Sequence, residues 1–92
     1  MAFLRLAEHV VFDIADGDGV ILDTFGGEYF SLNPTATLIL QAALRFTTAD
    51  EVVDHLKSRI DATDSVLRTG LDELTTLLDE QHLVAEQGAR SS

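Results

Sequence analysis

Among the side chains that most often act as acid–base catalysts or metal ligands, this chain has three histidines and 16 carboxylates. It has no cysteine. His9, His55 and His82 lie one in each third of the chain, without the spacing that metal ligands usually show. Glu51 and His55 are four residues apart on a predicted helix, where they could share a ligand. A pair at this spacing is an ordinary feature of an exposed helix face. The histidines therefore predict no metal site.

Other catalytic signatures are also missing. The segment Asp16-Gly-Asp-Gly19 begins like a calcium loop, but the glutamate that should close the loop at its twelfth position is missing. The sequence contains no phosphate-binding loop, nucleotide fingerprint or nucleophile elbow. The acidic residues on predicted helix faces have the pattern of a solvated surface rather than of a catalytic pair. We therefore expect a protein that is not an enzyme and that needs no cofactor or metal.

Length and composition narrow the class of protein. The chain has 92 residues, of which 46% are hydrophobic, so we expect one folded domain over residues 1–86 and a disordered tail over residues 87–92. The N-terminus lacks a signal-peptide pattern, no apolar run is long enough to cross a bilayer, and the absence of cysteine fits a reducing compartment. These features predict a cytoplasmic protein.

The net charge of −10 limits the partners of the chain. Phosphate backbones and anionic membrane surfaces repel so acidic a protein, and both are normally bound through Lys and Arg. We therefore expect neither nucleic acid nor membrane as a partner, and we expect a preference for basic ones.

The N-terminal third predicts an antiparallel meander of three strands, with turns at residues 16–19 and at Gly26-Gly27. The predicted strands are residues 10–14, 20–25 and 28–32. Alternation places Ile21 and Phe25 on one face of the second strand. In the third strand, Phe30 and Leu32 point one way, and Tyr29 and Ser31 point the other way. Three short strands need a packed layer on one face.

Helices supply that layer. Asn33 and Pro34 predict an abrupt helix start, and the helix over residues 34–45 is apolar nearly all round, as expected of a buried helix. Thr48 and Glu51 form the pattern of a capping box, so a second helix begins at Ala49. The apolar set predicted for that helix is Val52, Val53, Leu56 and Ile60.

The third helix is predicted over residues 65–81, with Thr63 or Asp64 as its cap, and it carries two stripes. The core stripe consists of Leu67, Leu71, Leu74 and Leu78. The second stripe has mixed character and consists of Val66, Gly70, Glu73 and Leu77. Gly70 costs the helix about 1 kcal/mol relative to alanine, so something must approach it closely. Either an external ligand or another helix of the same domain satisfies that condition.

The strand from Glu28 to Leu32 is the element around which the rest of the chain is arranged. It lies between a glycine turn and an abrupt helix start, at the predicted edge of the sheet. Proteins normally protect such an edge, because its unpaired backbone groups can pair with another chain. We interpret this strand as an edge that accepts an additional peptide strand.

Three strands followed by three helices, the longest last, is an α+β arrangement similar to a winged helix-turn-helix. With these residues it resembles the PqqD-like family of RiPP recognition elements, and within it the stand-alone subunit of split lasso-peptide leader peptidases. The segments that carry the resemblance are Glu28-Tyr-Phe-Ser-Leu-Asn-Pro-Thr-Ala36, Thr47-Thr-Ala-Asp-Glu-Val-Val53, and Leu71, Leu74 and Leu78 with His82-Leu-Val84. Relatives often carry glycine at the position of His82 and an acidic residue at that of Gly70.

The resemblance implies that the chain binds the leader of a lasso precursor peptide as an added strand and presents it to a separate cysteine-type leader peptidase. The ring-forming cyclase is a further candidate partner. Such leaders typically carry a tyrosine and a proline three residues apart, which a groove between the third strand and the third helix could hold. The implied peptide-binding residues are Glu28, Tyr29, Phe30, Ser31, Leu32, Val66, Gly70, Glu73, Leu74 and Leu77.

Two other functions fit parts of the pattern. A helix-turn-helix-like half suggests DNA binding, although its third helix offers only Arg68 as a cation against the four carboxylates of Asp72, Glu73, Asp79 and Glu80. An open edge could also pair with itself, which would make the domain an adaptor or a dimerisation module. Leu77 discriminates between groove and core, because it is apolar but lies off the core stripe.

Overall fold

The computed structural model describes residues 3–85, so the tail predicted over residues 87–92 lies outside the described residues. An antiparallel sheet of order β1-β2-β3 precedes three helices, which confirms the predicted α+β fold class. The elements are β1 (Val10–Ala15), β2 (Asp18–Asp23), β3 (Glu28–Leu32), α1 (Pro34–Arg45), α2 (Ala49–Lys57) and α3 (Asp64–Glu80). No helix in this part of the chain is long and apolar enough to cross a membrane.

The first hairpin turn is formed by Asp16 and Gly17, both of which have positive φ, as the sequence predicted. The second turn is wider than expected and spans residues 24–27, so β2 ends at Asp23. The carboxylate of Asp23 accepts the backbone N–H groups of Phe25 and Gly26 at 2.9 and 3.2 Å, which draws the chain into the turn. The prediction that Phe25 belongs to the second strand and shares a face with Ile21 is therefore wrong: Phe25 lies in the turn and is 83% exposed, whereas Ile21 is buried.

The helix starts follow the predicted capping chemistry. The side chain of Asn33 accepts the N–H of Ala36 at 2.7 Å, with Pro34 in the first turn of α1. The Thr48–Glu51 capping box of α2 is complete. Of the two caps offered for α3, Thr63 is used. Ile60, predicted as part of the second helix, lies beyond the end of α2 at Lys57.

The core forms where the helices pack on one another and on the inner face of the sheet, which contains Ile21 and Leu32. The predicted core stripe of α3 is confirmed, since all four of its leucines are buried. The fully buried large side chains are Ile21, Leu40, Leu56, Leu67, Leu78, Leu83, Val52 and Val53. The opposite face of the sheet is not covered by any described element and exposes Val11, Leu22 and Tyr29.

Thr37 ties α1 to the sheet. This buried hydroxyl donates to the carbonyl of Asn33 at 2.9 Å and accepts the N–H of Gly19 at 2.7 Å. Only glycine fits at position 19, because a Cβ there would lie 2.8 Å from both Phe12 Cε1 and Thr37 Oγ1. Gly19 is paired with Leu32, so this contact also sets the position of β3 relative to α1.

The two ends of the domain pair with each other, a feature that the sequence did not indicate. Leu6 forms an antiparallel bridge with Val84, and the N–H of Ala7 donates to the carbonyl of Leu83 at 2.9 Å. Leu4 and Leu83 are buried in the core beside this bridge. The N-terminal segment therefore belongs to the fold, although its pattern did not predict a strand.

A left-handed residue connects α3 to this bridge. His82 has φ of 58°, and its N–H donates to the carbonyl of Asp79, while the N–H of Leu83 donates to that of Leu78. These two bonds form a Schellman motif, in which the residue in the His82 position is usually glycine. The glycine expected from the resemblance at this position thus has a geometric reason.

Candidate peptide-binding site

The third strand lies at the edge of the sheet, as predicted. It pairs with β2 along one side, and no other described strand pairs with its second side. In an antiparallel edge strand about half of the backbone N–H and C=O groups point away from the partner strand. β3 therefore presents hydrogen-bonding groups to which an extended peptide could add.

The side chains of β3 alternate as the sequence predicted. Phe30 and Leu32 point to the helical side, where Phe30 is half-buried and Leu32 is buried. Tyr29 and Ser31 lie on the opposite, exposed face, and Glu28 is exposed at the start of the strand. Leu32 is thus part of the core and anchors the edge strand to the helical layer.

A largely apolar cleft of about 350 Å³ lies between α1 and α3, and we call it the α1–α3 cleft. It contains three of the predicted residues of the second stripe: Val66, Gly70 and Glu73. Its other lining residues are Thr35, Ile39, Ile60, Ala62, Ser65, Leu67 and Thr69. Its volume is at the lower end of the range of about 300–1,000 Å³ that is typical of ligand pockets.

At Gly70 a side chain of α1 lies close to the backbone of α3. A Cβ built on Gly70 would lie 3.1 Å from Cδ1 of Ile39, with no other heavy atom outside its own helix turn within 4 Å. Of the two explanations for this glycine, the contact with another helix of the domain is therefore observed. The same small residue leaves the cleft open, because no side chain projects from this position.

The structure does not bring all the predicted residues together. Leu74 is buried in the core and does not line the cleft, and Leu77 is 38% exposed on α3 beyond Glu73. β3 and α3 are the two elements predicted to form the groove, and α1 packs against both of them. The roles of Leu74, Leu77 and the β3 side chains in binding remain predictions.

Sequence reasoning missed the wall of the cleft that α1 and the α2–α3 loop provide. Thr35 and Ile39 are on α1, and Ile60 and Ala62 are in the loop. Ile60 was predicted as part of the apolar set of the second helix, so no local pattern marked it as a wall of the cleft. Thr35 and Ile39 were hidden in a helix that is apolar nearly all round.

Charge is distributed unevenly around the cleft. Among the described residues, Glu73 is the only charged one that lines it, so a basic or hydroxyl group on a ligand would be favoured there. Arg68, the only basic residue of α3, donates to Asp50 and also to Asp64 at 2.7 Å. The hydrogen bond with Asp50, followed by that with Asp64, raises the pKa of Arg68 above its ordinary value. α3 therefore has no unpaired cation to offer to a phosphate.

The Glu51–His55 pair considered as a metal site has another role. The carboxylate of Glu51 accepts the N–H groups of Thr47 and Thr48 at 3.0 and 3.1 Å, and the ring of His55 lies tilted against that of Phe46, with 4.9 Å between ring centres. Within residues 3–85, no group of three or more His, Asp or Glu side chains is arranged to hold a metal ion.

Comparison with solved structures finds two other chains with a similar fold. The structure described as "Lasso peptide synthetase B1 complexed with the leader peptide" is 29% identical, with a TM-score of 0.80, and the match covers 92% of this chain and 100% of that chain. "TbiB1 in Complex with the TbiA(beta) Leader Peptide" shares the fold, with 19% identity, a TM-score of 0.78, and coverage of 91% of this chain and 98% of that chain.

Comparison with protein families identifies the family of the chain. No curated protein sequence matches the chain significantly. Residues 8–84, however, match the family described as Coenzyme PQQ synthesis protein D (PqqD), a span that runs from before β1 to the bridge that follows α3. The chain therefore belongs to the PqqD family, the family of RiPP recognition elements that its sequence resembles.

Proposed function

We propose that this chain binds the leader segment of a ribosomally made lasso precursor peptide and presents it to a separate cysteine-type leader peptidase. The observation that carries the proposal is a free sheet edge together with an apolar cleft whose lining begins at Thr35, three residues after the end of β3, in a fold that matches a lasso synthetase B1 solved with its leader peptide. The chain itself acts by binding and not by catalysis.

The leader adds to β3 as a fourth antiparallel strand. Each backbone hydrogen bond contributes about 0.5–1.5 kcal/mol and depends little on sequence. A few such bonds therefore hold the peptide weakly and set its direction and register, without selecting which peptide is bound. Selection requires side-chain pockets next to the edge.

The α1–α3 cleft supplies such a pocket. Burial of one large apolar side chain adds about 2–3 kcal/mol, and the cleft has room for an anchor such as the tyrosine or the proline of a lasso leader. Glu73 at its margin accepts a hydrogen bond from a hydroxyl or a basic group. The strand and the anchors together give an expected binding free energy of about −8 kcal/mol, which corresponds to micromolar affinity.

Calorimetric titration with synthetic leader peptides tests this function. We expect saturable, micromolar binding of a lasso leader with the tyrosine and proline anchors, and at least tenfold weaker binding of a scrambled leader of the same composition. Equal binding of both peptides, or no binding of either, would contradict leader recognition.

Self-association through the same edge is the second candidate function. It is favoured by the unpaired side of β3 and by the apolar outer face of the sheet, where Val11, Leu22 and Tyr29 are exposed. Sedimentation of the free protein distinguishes the two functions. A stable dimer that the leader peptide does not dissociate would favour the adaptor over the leader-binding module.

A further inference from the structure

A second cavity, of about 340 Å³, lies between β1, α1 and the C-terminal part of α2, and it shares no residue with the α1–α3 cleft. We call it the basic cavity. Its rim carries Arg45, His55, Arg59 and Gln41, and none of its described lining residues is acidic. Its floor is apolar and consists of Phe12, Leu38, Ala42, Leu44 and Leu56.

The two arginines of this rim are unusual because the chain is so acidic. The net charge is −10, yet no ion pair or side-chain hydrogen bond within residues 3–85 engages the guanidinium group of Arg45 or Arg59. Arg68, by contrast, is paired with two carboxylates. Lys57 lies close in sequence, so three of the six Lys and Arg residues belong to this region.

Aromatic contacts hold part of the rim in place. The guanidinium carbon of Arg45 lies 5.4 Å from the ring centre of Phe46, whose ring centre is 4.9 Å from that of His55. Such contacts reduce the conformational freedom that Arg45 would lose on binding. Its guanidinium group keeps its donors available for a carboxylate.

The usual role of cations in this position is to complement the carbonyl groups at helix C-termini. Arg45 is in the last turn of α1, and His55 and Lys57 are in the last turn of α2. That role accounts for positive charge at these positions. It does not account for an open apolar floor between α1 and α2, nor for Arg59, which lies beyond the end of α2.

We propose that the basic cavity is a second binding site, which takes a short acidic segment of a partner protein. The apolar floor accepts one hydrophobic side chain, while Arg45 and Arg59 pair with carboxylates on either side of it. A long polyanion is disfavoured because the remainder of the chain, with its net negative charge, repels it. The site is separate from the cleft, so both can be occupied at the same time.

The probe for this site is the blocked hexapeptide Asp-Glu-Leu-Phe-Glu-Asp, titrated into the isotope-labelled full chain and followed by NMR. We expect saturable shifts of the side-chain Nε–H signals of Arg45 and Arg59 and of backbone amides in residues 38–45 and 55–59. The neutral peptide Asn-Gln-Leu-Phe-Gln-Asn should bind about tenfold more weakly at low salt, because two ion pairs are lost.

Variants separate binding from a structural role. The double substitution Arg45→Gln and Arg59→Gln should lower the affinity for the acidic peptide about tenfold while the NMR spectrum stays that of the folded protein. Arg5→Gln is the control, because Arg5 is exposed and lies outside the basic cavity. It should leave the affinity unchanged.

Four results would overturn the proposal. They are no shift with millimolar acidic peptide, equal binding of the neutral peptide, unchanged binding in the double variant, and tighter binding of an oligothymidine of six nucleotides, which would identify a phosphate site. No leader peptide is present in the experiment, so its result is independent of whether the α1–α3 cleft binds leaders.

Discussion

Val66 gives the most direct test of the α1–α3 cleft by a single side chain. It lines the cleft and is 60% exposed, so a charge there should disturb the ligand and not the fold. We expect Val66→Asp to weaken leader binding at least tenfold, because a carboxylate replaces apolar contact with the anchor in a cleft that already contains Glu73. Calorimetric titration of the variant measures this change.

Val11 provides the matched control for that substitution. It is 50% exposed on the outer face of the sheet, outside the cleft. Val11→Asp introduces the same charge at a similarly exposed valine, and we expect it to bind the leader like the unsubstituted chain. Equal losses in the two variants would mean that general charge repulsion, rather than the cleft, governs binding.

His82 offers a test of backbone strain that is separate from binding. At φ of 58° a residue with a Cβ costs about 1–2 kcal/mol, and the greater freedom of glycine in the unfolded chain offsets about 0.4–1 kcal/mol. We therefore expect His82→Gly to raise the free energy of unfolding by about 0.5–1 kcal/mol. Denaturant unfolding, monitored by circular dichroism, measures this change.

The neighbouring residue serves as the control for His82. Gln81 has φ of −91°, where glycine gains nothing, so Gln81→Gly should lower stability or leave it unchanged. A loss of stability in His82→Gly would show that the left-handed turn after α3 is not strained.

At the scale of the element, α3 carries both the core and one wall of the cleft. Its buried leucines recur at three- and four-residue spacing, and Val66, Gly70 and Glu73 occupy the neighbouring stripe. A helix can serve both purposes because the two stripes are offset by one residue. One residue corresponds to a rotation of about 100° around the helix axis, so the stripes face different directions. Gly70 allows α1 to approach and the cleft to remain open.

Leu77 tests how far the binding surface extends along α3. It is 38% exposed and follows Glu73 by one turn. We expect Leu77→Glu to reduce leader binding at least tenfold without unfolding the domain, if the peptide runs along this stripe. Titration calorimetry and a thermal unfolding curve give the two readouts.

Leu22 is matched to Leu77, with 38% exposure on the outer face of the sheet. Leu22→Glu should keep full leader affinity. If Leu77→Glu unfolds the domain, Leu77 belongs to the core. If it leaves leader binding unchanged, the binding surface on α3 extends no further than Glu73.

The sequence predicted elements best where local chemistry decides them. Asn33-Pro34, the Thr48–Glu51 box and the spacing of the α3 leucines each act within about one helix turn, and the structure has them all. The end of β2 was misplaced because a side chain, that of Asp23, bonds the turn. The Leu6–Val84 bridge joins the two ends of the domain, a contact that no local pattern encodes.

The candidate site also has one part that local sequence predicts and another part that depends on contacts between distant segments. The second stripe of α3 could be identified because its residues follow a helical period. Its opposite wall could not, because Ile39 and Ile60 line the same cleft as Gly70 only when α1 and the α2–α3 loop pack against α3. The basic cavity was also missed, since Arg45 and Arg59 are on separate elements and look like ordinary surface cations in the sequence.

At the scale of the molecule, the two cavities lie on different parts of the surface and differ in the charge of their lining residues. Within residues 3–85, the α1–α3 cleft is apolar with one glutamate, and the two arginines of the basic cavity form no ion pair. A domain that holds a leader at one face and contacts a partner at another needs two such separate surfaces. The −10 charge of the whole chain then favours short, specific ligands over polyanions.

Hydrogen exchange of the β3 amides, with and without a saturating lasso leader peptide, tests strand addition most directly. If the leader pairs with the free edge, the outward-facing amides of β3, about every second one, become strongly protected, while those already bonded to β2 change little. Shifts in Val66 and Gly70 with unchanged exchange throughout residues 28–32 would contradict strand addition, and would show that the peptide binds to the helices alone.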